Sequence, residues 1–111
     1  MDQAIVRRSG SVPRIPARRP GLFERRLITP DDTTQQNIVL VDSEPGAHVE
    51  YHRVGTSESL YVLEGDFEIE LEGSKQILRA GDIVHFPVNS SHGLRCLNGP
   101  GRFLLVFAPT D

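Results

Sequence analysis

The feature that most constrains this chain is a succession of short β-type runs separated by turn residues. Residues 67–72, FEIELE, alternate apolar and acidic side chains, which is typical of a strand with one face on a core and one in water. Similar runs are LFERRLI, QNIVLVD, AHVEYHRV, SLYVLEG, KQILRAG, DIVHFPV, HGLRCL and GRFLLVFAP. None of them sustains an apolar period of 3.6 residues, so the sequence predicts an all-β fold.

Length and turn spacing narrow the architecture. A chain of 111 residues is the size of one domain. Eight or so short strands with even spacing predict a small barrel or a double-sheet jelly roll. An immunoglobulin-like sandwich is the alternative on strand number, but the chain has one cysteine and no tryptophan, the residues that mark one type of that sandwich.

Residues 1–21 form a basic arm rich in proline and arginine, and residues 22–111 are expected to form a single barrel domain. The prolines exclude a helix, so the arm is predicted to be extended or disordered, with ordered structure beginning near Leu22. The first 26 residues carry seven arginines against two acidic residues, whereas the remainder carries five basic and thirteen acidic residues. Because an acidic body repels a polyanion, we expect no nucleic-acid partner and an arm that lies against the acidic body of its own or a partner subunit.

No run of about 18 apolar residues is present, and the first residues lack the apolar core of a signal peptide. We therefore expect no membrane association and a cytoplasmic location. The single cysteine, Cys96, is compatible with a reducing compartment.

Polar residues with a period of two mark the stretch HVEYHRV. His48, Glu50 and His52 would project from one face of a strand, and the next member of that series is Val54. Unless a bulge intervenes, His48 and Glu50 can point into the barrel with His52; the alternative is that both lie at the rim of the barrel, in water.

Two groups of residues carry a resemblance to a known family. The first is Gly46, His52, Val54, Glu58 and Gly65; the second is Gly81, Pro87, Asn89, His92 and Cys96. Their spacing, and seven of the ten residue types, resemble the two motifs of the cupin superfamily, over most of residues 38–107. The resemblance implies a small cupin-type double-stranded β-helix, the RmlC-like jelly-roll barrel.

The three departures from the motifs are Val54 for the second histidine, Asn89 for a glycine and Cys96 for an asparagine. Asn89 is expected to replace the glycine of its turn because Asn tolerates positive φ. Cupins with full motifs bind a divalent metal through three histidines and one glutamate. At the matching positions of this chain, the resemblance implies the ligands His52, Glu58 and His92. This set suits Fe, Mn, Ni or Zn and leaves coordination positions of the metal open.

The resemblance and the alternation of residues along the strands together give further site residues. Glu58 and Glu50 are candidates for proton transfer, and Glu50 is also a candidate fourth ligand. His48, Val54, Phe67 and Cys96 are predicted to line the pocket, although Cys96 also fits a small buried core residue. His85 is interpreted as a strand histidine with a satisfied hydrogen bond.

These residues leave two classes of function open. One is a metal-dependent enzyme of dioxygenase, isomerase or cyclase type that acts on a small molecule. The alternative is a metal-free cupin, either a binding or sensor module or an epimerase or isomerase that uses a histidine as acid and base. Small cupins commonly form homodimers, so the resemblance implies a homodimer.

Overall fold

The computed structural model describes residues 3–108, in which one 3-10 turn, Ser9–Ser11, precedes ten β-strands. The strands are β1 Ile15–Pro16, β2 Leu22–Ile28, β3 Asn37–Ser43, β4 His48–Arg53, β5 Ser57–Glu64, β6 Phe67–Leu71, β7 Ser74–Leu78, β8 Ile83–Phe86, β9 Ser91–Cys96 and β10 Gly101–Ala108. The nine runs named in the sequence correspond to β2 through β10. No helix in this part of the chain is long and apolar enough to cross a membrane.

The strands form two antiparallel sheets that face each other. The larger has the order β1-β2-β3-β10-β5-β8 and the smaller the order β4-β9-β6-β7. The core lies between them, and its largest fully buried side chains are Phe67, Phe86, Ile69, Val62 and Cys96. The predicted all-β, double-sheet architecture is confirmed.

Alternation positions the side chains as the sequence indicates. On β6, Phe67 and Ile69 are buried while Glu68 and Glu70 are only partly covered. On β5, Glu58, Leu60 and Val62 are buried, so this glutamate lies on the same inward face as the two apolar residues. One carboxylate is therefore carried into a largely apolar interior.

Ordered structure begins closer to the N-terminus than the sequence predicts. β1 pairs with β2, and Ile15 lies opposite Glu24. Pro20 and Gly21 make the turn between the two strands, and Gly21 has a φ of 81°. A Cβ on Gly21 would lie 2.9 Å from the Cβ of Ala47, so glycine suits both the backbone angle and the close approach. Ordered structure thus begins before Leu22, which corrects the predicted start.

The described part of the arm lies against the chain's own body. Its ion pairs are Arg7–Asp32 at 2.6 Å, Arg14–Asp42 at 3.2 Å and Arg19–Glu50 at 3.0 Å. Arg14 also lies 4.1 Å from the ring centroid of Phe23, in a cation–π contact. The basic arm thus neutralises acidic residues of the same chain.

Candidate functional site

A cavity of about 240 Å³ opens between the two sheets. Most of its wall is apolar, from Leu22, Val41, Val49, Val54, Leu60, Phe86, Leu94, Phe103, Leu105 and Phe107. Its titratable lining residues are Arg18, Arg19, Glu24, His52, Glu58 and His92. An apolar cavity with a few polar groups is the usual form of a small-molecule site, and this one is below the common size range of ~300–1,000 Å³.

Glu58 and His92 meet inside this cavity. β5 carries Glu58 and β9 carries His92, and their residues are only 6% and 7% exposed. The Nε2 atom of His92 lies 3.3 Å from Oε1 of Glu58. The two groups are close but are not aligned as a hydrogen bond. Glu58 Oε1 and His92 Nδ1 have no hydrogen-bond partner among residues 3–108. Buried polar atoms without partners are uncommon, which marks this pair as a candidate functional site.

Aromatic packing holds His92 in place. The ring of Phe86 lies against the imidazole with centroids 3.6 Å apart and planes 10° from parallel. Phe86 itself is 2% exposed, so it forms a rigid wall behind His92. The stacking leaves Nε2 beside Glu58, whereas Nδ1 is buried.

His52 faces His92 across β4 and β9. The two residues are directly opposite in the sheet, and their ring centroids are 5.2 Å apart. Nδ1 of His52 lies 2.9 Å from the carbonyl oxygen of Glu50. Because a carbonyl only accepts, Nδ1 carries a proton, so in the neutral ring Nε2 is the nitrogen with the lone pair.

A β-bulge decides which residues of β4 accompany His52. Val49 lies opposite Leu94 and His52 opposite His92, so two residues of β4 face the single Gly93 of β9. A Cβ on Gly93 would lie 3.1 Å from the amide nitrogen of Tyr51, which is a tight approach beside the bulge. The bulge turns Val49, rather than Glu50, into the cavity with His52.

The predicted positions of Glu50 and His48 are corrected by this bulge. Both residues are exposed and neither lines the cavity. Glu50 accepts hydrogen bonds from Arg19 at 3.0 and 3.2 Å, and its side chain is 65% exposed. The Arg19 contact lowers the pKa of Glu50 below its ordinary value. Glu50 is therefore a surface carboxylate in an ion pair, too exposed to serve as a ligand or base in the cavity.

Of the other residues predicted to line the pocket, one does so and two do not. Val54 lines the cavity, but Phe67 and Cys96 do not. Phe67 is fully buried and Cys96 is 1% exposed, and both belong to the core beyond the cavity. The alternation along their strands correctly predicts that both side chains point inward. It does not predict at which end of the barrel an inward side chain lies.

Two smaller predictions agree with the structure. His85 is exposed and its Nδ1 lies 2.8 Å from Oγ of Ser59, as expected for a strand histidine with a satisfied hydrogen bond. Asn89 has a φ of 68° and so adopts the left-handed conformation that the motif otherwise assigns to glycine.

Residues 39–107 match the family model of the cupin domain. The chain belongs to the cupin family. No curated protein matches this cupin.

Several solved structures share the fold. The polyketide cyclase RemF from Streptomyces resistomycificus has a TM-score of 0.83 at 22% identity, over 97% of this chain and 80% of that one. KdgF from Halomonas sp. has a TM-score of 0.87 at 24% identity, over 98% and 96% of the two chains. An RmlC-like cupin from Shewanella frigidimarina has a TM-score of 0.84 at 24% identity, over 100% and 96%. At these identities the likeness establishes the cupin fold.

The donor set of this cupin fits a divalent metal in part. Two ligands held at about 2.1 Å and at right angles to one ion lie about 3 Å apart, close to the 3.3 Å between His92 Nε2 and Glu58 Oε1. The partnerless Oε1 of Glu58 points to the same conclusion. Within residues 3–108, however, no three His, Cys, Asp or Glu side chains stand together as a coordinating group. The pair fits a shared cation, and His52 does not yet complete it.

The arm supplies lining residues that sequence reasoning missed. Ala17, Arg18 and Arg19 lie at the edge of the cavity. The Pro20-Gly21 dipeptide is a turn signal, and the apolar residues on both sides of it were the available sign of a hairpin. What the sequence does not give is the packing of that hairpin over the opening between the sheets.

Proposed function

We propose that this cupin binds a divalent metal through His52, Glu58 and His92 and acts as a metal-dependent enzyme on a small molecule with an apolar body. The observation that carries the proposal is the buried Oε1 atom of Glu58, which has no hydrogen-bond partner among the described residues and lies 3.3 Å from His92 Nε2. Burial of a carboxylate without compensation is costly, and a bound cation removes that cost.

His52 is the third ligand in this proposal. Its Nδ1–H donates to the carbonyl oxygen of Glu50, a kind of contact that commonly fixes the orientation of a ligating imidazole. The ring centroid lies 5.2 Å from that of His92, and the proposal requires a side-chain adjustment that brings Nε2 of His52 to the ion. Val54 occupies the place of a fourth ligand, which makes the site weaker and leaves a position for substrate.

The residues themselves divide the chemical work. A bound metal would supply Lewis-acid polarisation of a substrate oxygen. Glu58 would hold or move a proton at its other carboxylate oxygen, Oε2, and the apolar wall would exclude water from the substrate. One similar structure is a polyketide cyclase, but at 22% identity it supports only the fold, so the assignment of cyclase, isomerase or dioxygenase type depends on substrate tests.

A metal-free enzyme is the second candidate. It is favoured by the absence of a coordinating group of three side chains within residues 3–108. In this case Glu58, His92 and His52 exchange protons with the substrate directly. An isomerase or epimerase is the reaction type that such a set of acid–base groups would serve.

Metal binding separates the two candidates. Protein purified without chelator should contain Fe, Mn, Ni or Zn by elemental analysis, and metal-stripped protein should rebind it in calorimetric titration. His52→Ala and His92→Ala should each abolish binding, since either change leaves two ligands. The control His85→Ala should bind as wild type, because His85 is exposed and bonded to Ser59. No affinity for any of the four ions in the wild type would exclude the metalloenzyme and leave the metal-free candidate.

A homodimer and a cytoplasmic location complete the proposal. Tyr61 and Ile83 are cross-strand neighbours on β5 and β8 and are 40% and 63% exposed, and Leu63 on the same face is 43% exposed. An exposed apolar face on a sheet is a usual site of association, and we propose that a second copy covers it. Light scattering should give twice the 12.3 kDa chain mass for wild type and the single mass for Ile83→Glu.

A further inference from the structure

Arg18 stands apart from the other charged residues of the cavity. Arg19 is paired with Glu50, Glu24 is paired with Arg26, and Glu58 contacts His92. Arg18 lines the same cavity and has no ion pair or side-chain hydrogen bond with any residue of 3–108. Arg18 is an exposed residue, so its charge is available to a molecule that enters the cavity.

The backbone that carries Arg18 is held firmly. The amide of Ala17 donates to the carbonyl of Leu22 at 2.8 Å, and the amide of Leu22 donates to the carbonyl of Arg19 at 3.3 Å. The ladder between β1 and β2 continues this pairing, and the Arg19–Glu50 ion pair attaches the turn to β4. Arg18 therefore occupies the turn of a short hairpin that is tied to both sheets at the cavity opening.

We propose that Arg18 binds the carboxylate of a small monocarboxylic substrate whose apolar body fills the cavity. The proposal deepens the proposed function, because it depends on the same cavity being the substrate site. A guanidinium presents paired N–H donors that match the two oxygens of a carboxylate. The apolar wall, with Leu22, Leu94 and Phe103 among its residues, suits the hydrocarbon part of such an acid.

The electrostatics favour one site for the carboxylate. Inside the cavity Glu58 is engaged with His92, whereas Arg18 is a cationic lining residue with no ion pair among residues 3–108. Arg18 lies at the opening, where a carboxylate keeps part of its hydration and gains an unpaired positive charge. The substrate is thus oriented with its acid group outward and its apolar end inward, toward Glu58 and His92.

Matched pairs of probe molecules test this assignment. Hexanoate and benzoate are compared with 1-hexanol and benzyl alcohol, which keep the apolar body and lack the charge. Dissociation constants are measured by NMR titration on wild type, Arg18→Gln, Arg18→Lys and the control Arg8→Gln. Arg8 is an exposed arginine of the same arm that does not line the cavity.

Wild type should prefer each acid to its alcohol by about fivefold, the size expected for a partly exposed ion pair. Arg18→Gln should lose this preference through weaker acid binding with unchanged alcohol binding, Arg18→Lys should keep most of it, and Arg8→Gln should equal wild type. Raising the salt concentration should reduce the preference, because the pair is exposed.

Equal binding of acid and alcohol in wild type, the lack of binding by either acid, or the same loss in Arg8→Gln would overturn the assignment. Metal titration of Arg18→Gln separates this failure from failure of the proposed function, because Arg18 is not a ligand in that proposal. If the acid preference is missing while metal binds normally, only the role of Arg18 is wrong. If metal fails to bind in every variant and in wild type, the metal site is wrong, whatever the acids do.

Discussion

Nε2 of His92 and Oε1 of Glu58 lie 3.3 Å apart inside an apolar cavity, close enough to share a partner but not aligned to bond each other. The two residues come from different sheets, β9 and β5, so the contact joins the two halves of the barrel. Phe86 fixes one side of the imidazole, and the strand fixes the glutamate. A rigid, incompletely satisfied pair of this kind is what a metal or a substrate would complete.

Glu58→Gln should separate function from stability. The amide keeps the shape of the side chain and removes its charge, so metal affinity should fall by at least about tenfold. The metal-free variant should be as stable as wild type or more stable by ~1 kcal/mol, because an incompletely compensated buried charge is removed. Urea unfolding in the presence of chelator measures the second effect. A large loss of stability there would show that the pair has a structural role instead.

Val54→His should strengthen metal binding. Val54 lines the cavity. Its amide donates to the carbonyl of Ser90 at 3.0 Å, and its carbonyl accepts from the amide of Asn89 at 2.9 Å, so its backbone is held in place. A histidine there adds a fourth ligand, which should raise the affinity by about tenfold or more in calorimetric titration. Val88→His is the control, since Val88 is exposed and outside the cavity. An equal rise in metal affinity in both variants would mean that an added imidazole binds metal wherever it is placed, and would contradict a site at Val54.

The Arg7–Asp32 contact should be visible in a pH titration. The hydrogen bond from Arg7 lowers the pKa of Asp32 to about 2, with help from the amide of Thr29. Because the folded pKa lies below the unfolded value, this contact stabilises the arm at neutral pH, and the effect is lost as the pH falls toward about 2. NMR titration of the carboxyl should give this low value in wild type and a higher one in Arg7→Gln. An unchanged value in the variant would assign the shift to the Thr29 contact.

Gly101→Ala should destabilise the barrel. A Cβ there would overlap Cζ of Phe67 and lie 2.8 Å from its Cε2 atom, and Phe67 is fully buried. The ring has little room to move in a packed core, so a loss of about 1–3 kcal/mol in the free energy of unfolding is expected. Gly55→Ala is the control, because nothing lies within 4 Å of a Cβ at that position. Equal stability of the two variants would show that Phe67 can rearrange freely.

The sequence predicts most of the fold because strand periodicity and turn residues are local signals. The run LFERRLI coincides with β2, and the other eight runs differ from their strands by a few terminal residues. β1 was not predicted because Pro16 lies within it, and proline normally argues against a strand unless that strand lies at a sheet edge, as β1 does.

The site is less predictable because two of its determinants are long-range. The alternation of His48, Glu50 and His52 is a correct local pattern, but the bulge opposite Gly93 removes Glu50 from the face of His52. The place of Arg18 depends on how a hairpin packs across the opening between the sheets, which a residue pattern does not encode. Glu58 and His92 were found because the spacing of the family motifs fixes their strands and turns.

A crystal structure with anomalous data at the metal edge tests the central claim most directly. Crystals of chelator-free protein, supplied with Mn(II), should show one anomalous peak within coordinating distance of His92 Nε2, Glu58 Oε1 and His52 Nε2. Glu50 and His85 should remain outside that sphere. A cavity without an anomalous peak, or a peak held by other residues, would contradict the assignment.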